Sequence, residues 1–382
     1  MSSQKTVPSR LSYPDRAVIA AALLLVAASC DPAESAGPAG PEVVELTEAP
    51  DLCRDCISFE TVAVLGGDYD GDNLLTGSAY VTRGLTGRTY VHDFGAGAAE
   101  MFFYTSDGEL EFTIRRQGEG PGEYKDPMPI VELPGGRVAV FDRWNVRLSI
   151  LEADGTFIDS RRFPHRIFGP IPVSDSVLLA NASIRQPGHA GFRYHLVHLN
   201  GTILESFGTE ASPLPEEAEV DFRRMVVIDE DRFLSTSTAG RPYRLELWEE
   251  RSLRTVWTRE TDWFPGEVPP RRAGEVSPYV RGIYLDGPLL WTLVHRQDPE
   301  WIPSPPGSRV QQSHAALRSR FNTVVEVIDL TAGEVVASQE FDEVISELFR
   351  DGTAKHLAAD ELGVPLWEIL LPRLRGAPGR DR

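Results

Sequence analysis

The chain has 382 residues, a formal net charge of −19, 41% hydrophobic residues, 33 glycines, 29 prolines and three cysteines. Residues 1–29 carry a formal +2, so the rest of the chain carries −21, a balance that repels phosphate backbones and excludes nucleic acid as an expected partner. The apolar fraction is enough for a sizeable core, and the abundance of glycine and proline suits many short strands joined by turns.

In chain order, Lys5, Arg10 and Arg16 precede an apolar run from Ala17 to Ala28. Twelve apolar residues are too few to span a bilayer but fit the hydrophobic region of a signal peptide. The run ends Ala27-Ala28-Ser29-Cys30, which resembles a bacterial lipoprotein signal, although Ala27 stands where that signal usually has leucine. The resemblance implies that residues 1–29 are a signal peptide and that Cys30 becomes the lipidated first residue. An ordinary cleaved signal with an incidental cysteine is the alternative. Several acyl chains on one residue would anchor the protein stably, where a single chain is marginal. The stretch that follows is rich in Pro, Ala, Gly and Glu without hydrophobic periodicity, so residues 30–56 are expected to form a flexible tether. Within it, Cys53 and Cys56 form a Cys-x-x-Cys. No second such pair or paired histidines complete a zinc site, and in an oxidising compartment a local disulfide is expected.

Ser58 to Leu65 alternates apolar and polar residues before Gly66-Gly67 and predicts a strand with no hairpin partner of its own. A repeat begins after it. Thr89–Asp93, Met101–Tyr104 and Asp107-Gly108 are echoed by Val138–Asp142, Leu148–Leu151 and Asp154-Gly155, and again by Tyr194–Leu199 and Asn200-Gly201. The turn glycines Gly108, Gly155 and Gly201 are 47 and 46 residues apart. A period of this length built from short strands and turns is the mark of a propeller array. Blades are expected at about 74–115, 127–165 and 170–208. A less regular fourth contains Arg232–Thr236, Tyr243–Trp248 and Arg254–Trp257, and a fifth contains Gly282–Leu285, Leu289–Val294 and Thr323–Leu330. The proline-bearing stretch from His295 to about Arg320 interrupts the fifth blade and is expected to overhang one face. Val344, Ile345, Leu348 and Phe349 have helical spacing sufficient for one or two turns. The last unit, with Ala354–Ala358 and Val364–Leu371, lacks a strand. Pairing the spare strand around Val62 and Val64 with the last unit would close a six-membered ring.

Gly118-Glu-Gly-Pro-Gly-Glu-Tyr124, followed by Val138–Asp142 and Arg147–Leu151, resembles the bacterial six-bladed, NHL-like β-propeller lipoproteins. The match covers the first three blades well and the last three loosely. It implies an all-β, six-bladed propeller over residues 57–372, a disordered tail over 373–382 and a place in the bacterial cell envelope, periplasmic or extracytoplasmic, with the membrane touched through the lipid anchor only. It implies no particular reaction.

Candidate sites follow from residue type. Asp142 and Asn145 sit between two strands of one blade and are expected to fix that turn. Arg143 and Trp144 between them offer a cation and a stacking face to a ligand. His295, Arg296 and Trp301 at the fifth-blade insertion are the other candidate ligand-binding residues. Asp68, Asp70 and Asp72 alternate as in a calcium loop, but the residue at the twelfth position is Ala79 rather than glutamate, so a solvated turn is the stronger reading and no cofactor is expected. No Gly-x-Ser-x-Gly motif is present. The expectation is an envelope-anchored, monomeric module that binds a small ligand or a protein partner. The alternative is a metal-dependent hydrolase or lyase with its site at the central channel.

Overall fold

The computed structural model describes residues 40–67, 73–95, 100–182, 184, 186–209, 222–238, 243–264, 278–302 and 320–376. Three strands come first: β1 (Glu42–Glu45), β2 (Thr47–Cys53) and β3 (Ile57–Gly66). Blade one holds β4 (Ala79–Arg83), β5 (Thr89–Asp93), β6 (Glu100–Tyr104) and β7 (Leu110–Arg115). Blade two holds β8 (Pro127–Glu132), β9 (Val138–Asp142), β10 (Arg147–Leu151) and β11 (Phe157–Arg162). Blade three holds β12 (Ile167–Pro172), β13 (Val177–Ala182), β14 (Phe192–His198) and β15 (Ile203–Thr209). Blade four has β16 (Arg223–Val227), β17 (Arg232–Ser237), β18 (Tyr243–Glu249) and β19 (Ser252–Arg259). Blade five has β20 (Tyr279–Asp286), β21 (Leu289–Gln297), β22 (Phe321–Asp329) and β23 (Glu334–Phe341). Blade six has β24 (Ile345–Leu348), β25 (Ala354–Ala359) and β26 (Pro365–Leu374). The protein is an all-β propeller of six blades, with no helix among the described residues.

The fourth strand of blade six is β3, antiparallel to β26 from Gly66 opposite Leu366 to Ile57 opposite Leu374. Val64 faces Glu368 and Ala63 faces Ile369 in that ladder. The repeat glycines share one backbone device. Gly108, Gly155 and Gly201 have φ of 92°, 81° and 87°, and their amides donate to the carbonyls of Thr105, Glu152 and His198. The left-handed conformation explains the glycine at each third-to-fourth strand turn.

Each junction between neighbouring blades has its own apolar seam. Phe141, Leu148 and Ile150 of blade two meet Leu178, Ala180 and Val197 of blade three. Leu65, Trp367 and Ile369 of blade six meet Val81, Val91 and Phe102 of blade one. Middle strands lie between two seams, so all five residues of β9 are buried. This explains why they read as continuous apolar runs rather than clean alternations.

Three expectations are corrected. Residues 42–53, taken as part of the tether, form β1 and β2, which add parallel fifth strands to blades four and five against β19 and β23. Only Leu46 and Ala49 of this stretch are buried, so edge pairing through the backbone left little apolar pattern to read. The stretch expected to make a helical turn is β24, the first strand of blade six. The expected tail begins too early, because β26 continues to Leu374.

Candidate functional site

The second blade builds its site from a carboxylate. Asp142 ends β9, and its Oδ1 accepts from the backbone amides of Asp126, Trp144 and Asn145 at 3.2, 3.2 and 3.1 Å. Its Oδ2 accepts from the Lys125 amide and from Asn145 Nδ2, both at 2.8 Å. Asn145 Nδ2 also donates to the Gly118 carbonyl at 2.9 Å, and Arg147 Nη1 to the Gly120 carbonyl at 2.5 Å. The glycine-proline connection is thus docked onto the turn by the Asn and Arg that follow it. This is the turn-fixing role expected of Asp142 and Asn145.

The fixed turn presents Arg143 and Trp144 at a pocket of about 410 Å³ between blades two and three. Trp144 is 76% exposed. Arg143 Nε donates to Asp126 Oδ2 at 2.7 Å. Asp126 is 5% exposed, and its other oxygen, Oδ1, is buried with no hydrogen-bond partner among the described residues. A buried acceptor left open is uncommon and costly, so it marks where a donor belongs. His165 and Arg166 line the opposite wall, with His165 Nε2 held 2.7 Å from the Gly201 carbonyl. The pocket is therefore lined by cationic groups and an exposed indole face, with the unpartnered Asp126 oxygen buried in its wall. His92 is also buried, with Nδ1 unpartnered among the described residues, and burial holds its pKa below the usual range against the pull of Asp126 and Asp93.

The other sequence candidates are placed elsewhere. His295 and Arg296 lie on β21 of blade five, across the ring from blade two. His295 is 2% exposed, with Nε2 2.8 Å from the Ile345 carbonyl and Nδ1 3.2 Å from the Tyr279 hydroxyl. Burial and the neighbouring Arg281 pull its pKa down to about 3, so the ring is a neutral packing element. Arg296 pairs with Glu340 at 3.0 Å, and Trp301 lies beneath the Arg320 guanidinium. Cys53 and Cys56 are joined as a disulfide, with Cα atoms 5.9 Å apart. Cys30, Asp68, Asp70, Asp72 and the insertion from residue 303 to 319 lie outside the described residues. Among the described residues, no group of three or more His, Cys, Asp or Glu is arranged to hold a metal ion, and no helix is long and apolar enough to cross a membrane.

Asp126 was missed by sequence reading because nothing around it is periodic. The available signal was its place just after the Gly118–Tyr124 connection, at the entry of a blade.

No family model matches the chain, and no curated protein matches it. Among solved structures it is similar to a candidate exported protein from Bacteroides fragilis NCTC 9343, at 11% identity and a TM-score of 0.57, over 87% of this chain and 99% of that one. It is also similar to a catalytically inactive virginiamycin B lyase from Staphylococcus aureus crystallised with quinupristin, at 10% identity and a TM-score of 0.40, over 82% and 99% of the two chains. A PQQ-bound aldose sugar dehydrogenase from Streptomyces coelicolor is similar at 13% identity and a TM-score of 0.41, over 83% and 98%. At such identities the likeness concerns the fold.

Proposed function

We propose that this propeller is an envelope-anchored binding module that takes a small polar ligand at the pocket between blades two and three. The observation that carries the reading is Asp126 Oδ1, a buried acceptor without a partner, beside Arg143 and the exposed face of Trp144. A ligand with a flat face for the indole and a hydroxyl or amino donor for the carboxylate matches that chemistry. A hydrogen bond to a charged group contributes about 1.5–3 kcal/mol, or roughly tenfold or more in affinity.

The test is capture from a small-molecule extract of the producing cells, read by mass spectrometry after the protein is washed and denatured. Wild type should retain a species that Asp126→Asn and Trp144→Ala each retain at least about tenfold less. Equal retention by the folded variants, or nothing retained by wild type, would overturn the reading.

Anchoring through Cys30 is supported by the apolar run that ends there. Cys30→Ala should move the protein from the detergent phase to the aqueous phase on partitioning and remove acyl mass from its N-terminus. An unmodified mature N-terminus at another residue would sink this part of the proposal.

A further inference from the structure

The hub of the ring holds a second site, independent of the pocket between blades two and three. The first strands of all six blades, β4, β8, β12, β16, β20 and β24, surround a central cavity of about 260 Å³. Its charges do not balance. Glu347 is shared by Arg224 Nη1 at 2.5 Å and Lys355 Nζ at 2.9 Å, so both carboxylate oxygens are taken. Arg83 pairs with Asp351 at 2.9 Å. Glu132 accepts from the amide and hydroxyl of Thr86, at 3.0 and 2.8 Å. Arg223, which also lines the cavity, is matched by Glu246 on β18 at 2.8 Å. Two guanidinium groups are left with neutral oxygens. Arg281 Nε donates to the Ser346 carbonyl at 2.6 Å. Arg350 reaches from blade six across to blade three, donating to the Pro170 and Gly169 carbonyls at 3.0 and 2.7 Å. Arg224 Nε is buried with no hydrogen-bond partner among the described residues.

Crowding of like charges shows in the ionisation of the groups themselves. Burial and then Arg224 draw the Arg350 guanidinium down, to about 10. Arg350 keeps solvent contact, and the group stays charged at neutral pH. Burial lowers Lys355 despite the Glu347 charge beside it. Burial pushes the Glu347 carboxyl up, but Lys355, Arg224 and Arg281 outweigh it and hold the carboxyl far below the usual range. A surplus of cations in a confined, low-dielectric hub is costly when empty and is relieved by an anion.

From Arg350, which lines the cavity, and Arg281, which adjoins its wall at Gly282, neither with a carboxylate partner among the described residues, we infer that the central channel binds a compact oxyanion carrying two negative charges. Phosphate and a short dicarboxylate share the required chemistry, namely planar or tetrahedral oxygens that guanidinium groups recognise by paired hydrogen bonds. The bulk of the protein is strongly acidic, so general surface attraction does not explain anion binding here.

Isothermal titration of the full chain with inorganic phosphate and, separately, with succinate tests the inference, with sodium chloride at matched ionic strength as the blank. Saturable binding of at least one probe above chloride is expected. Phosphate alone identifies a phosphoryl or inorganic oxyanion ligand, and succinate alone identifies a carboxylate one. Arg281→Gln and Arg350→Gln should each weaken that binding about tenfold or more. Arg350→Lys should retain more of it than Arg350→Gln, because charge is kept. Arg232→Gln, which removes an exposed cation paired with Asp229, should leave it unchanged. Circular dichroism confirms that each variant compared is folded, and Arg281→Gln is decisive should Arg350→Gln fail to fold. Binding of neither probe above chloride, or undiminished binding in folded Arg281→Gln, would overturn the inference.

Discussion

Deleting residues 57–66 is expected to abolish cooperative unfolding and send the protein into aggregates. The deletion removes the whole of β3, and with it the outer ladder of blade six. Leu65 and Ile57, 0% and 2% exposed, leave two different seams, one between blades six and one and the other between blades five and six. Each such side chain contributes about 1.5–3 kcal/mol by burial. The deletion also uncovers Trp367 and Ile369, both 0% exposed, and bares the β26 edge. These losses together rival the whole stability of about 5–15 kcal/mol expected for a domain. Thermal and urea melts followed by circular dichroism, with sedimentation to detect aggregates, decide the matter. A deletion variant that melts like the parent would mean that β3 is not the closing strand.

The second large effect is expected at Glu246. This carboxylate is 1% exposed on β18 and is met by Arg223 at 2.8 Å, Arg244 at 2.9 Å and Arg193 at 3.8 Å. Ser235 Oγ and Trp248 Nε1 also donate to it, at 3.4 and 3.2 Å. Glu246→Ala removes the carboxylate that Arg193, Arg223 and Arg244 share and takes from the Arg223 guanidinium, whose side chain is 3% exposed, its partner at 2.8 Å. Breaking a buried pair on one side costs about 3–5 kcal/mol. Glu246→Gln should cost less, since it keeps the acceptor oxygen. Asp229→Ala, which breaks the exposed pair with Arg232, should move the midpoint far less than Glu246→Ala. Urea midpoints at constant m-value measure all three. A loss below about 1 kcal/mol for Glu246→Ala would show that water enters the cluster freely.

The parts of the fold legible in the sequence are those that repeat. The Asp-Gly and Asn-Gly turns are spaced evenly because blades one to three use the same left-handed glycine between their third and fourth strands; blade four turns there at Glu250 and Arg251 instead. The spare strand at 57–66 was legible because burial alternates over Val62–Leu65 and no hairpin neighbour claims it. β1 and β2 were not legible, since an outer edge strand can be held by backbone hydrogen bonds with almost no apolar signature. β24 was misread because four residues are too few to distinguish a strand from a turn of helix. The pocket was half legible. The turn between β9 and β10 puts Arg143 and Trp144 side by side in the sequence, whereas Asp126 joins them only through the fold. The hub was not legible at all. Arg224, Arg281, Arg350 and Lys355 come from three blades and more than a hundred residues of chain, and only the packing of those blades around the hub brings them together.

The strands β1, β2 and β3 have a consequence for synthesis. Glu42 pairs beside Thr255, Thr47 beside Glu334 and Ile57 opposite Leu374. β1 has no partner until blade four has emerged, β2 until blade five and β3 until blade six. Blades one to three can form from neighbouring sequence alone, while these three early strands must wait for blades four, five and six in turn. The barrier to completing the ring is therefore set by loops of two to three hundred residues, a regime in which non-local pairing is slow. During that wait β1, β2 and β3 are unpaired, and the nascent protein is vulnerable to pairing with another chain through them.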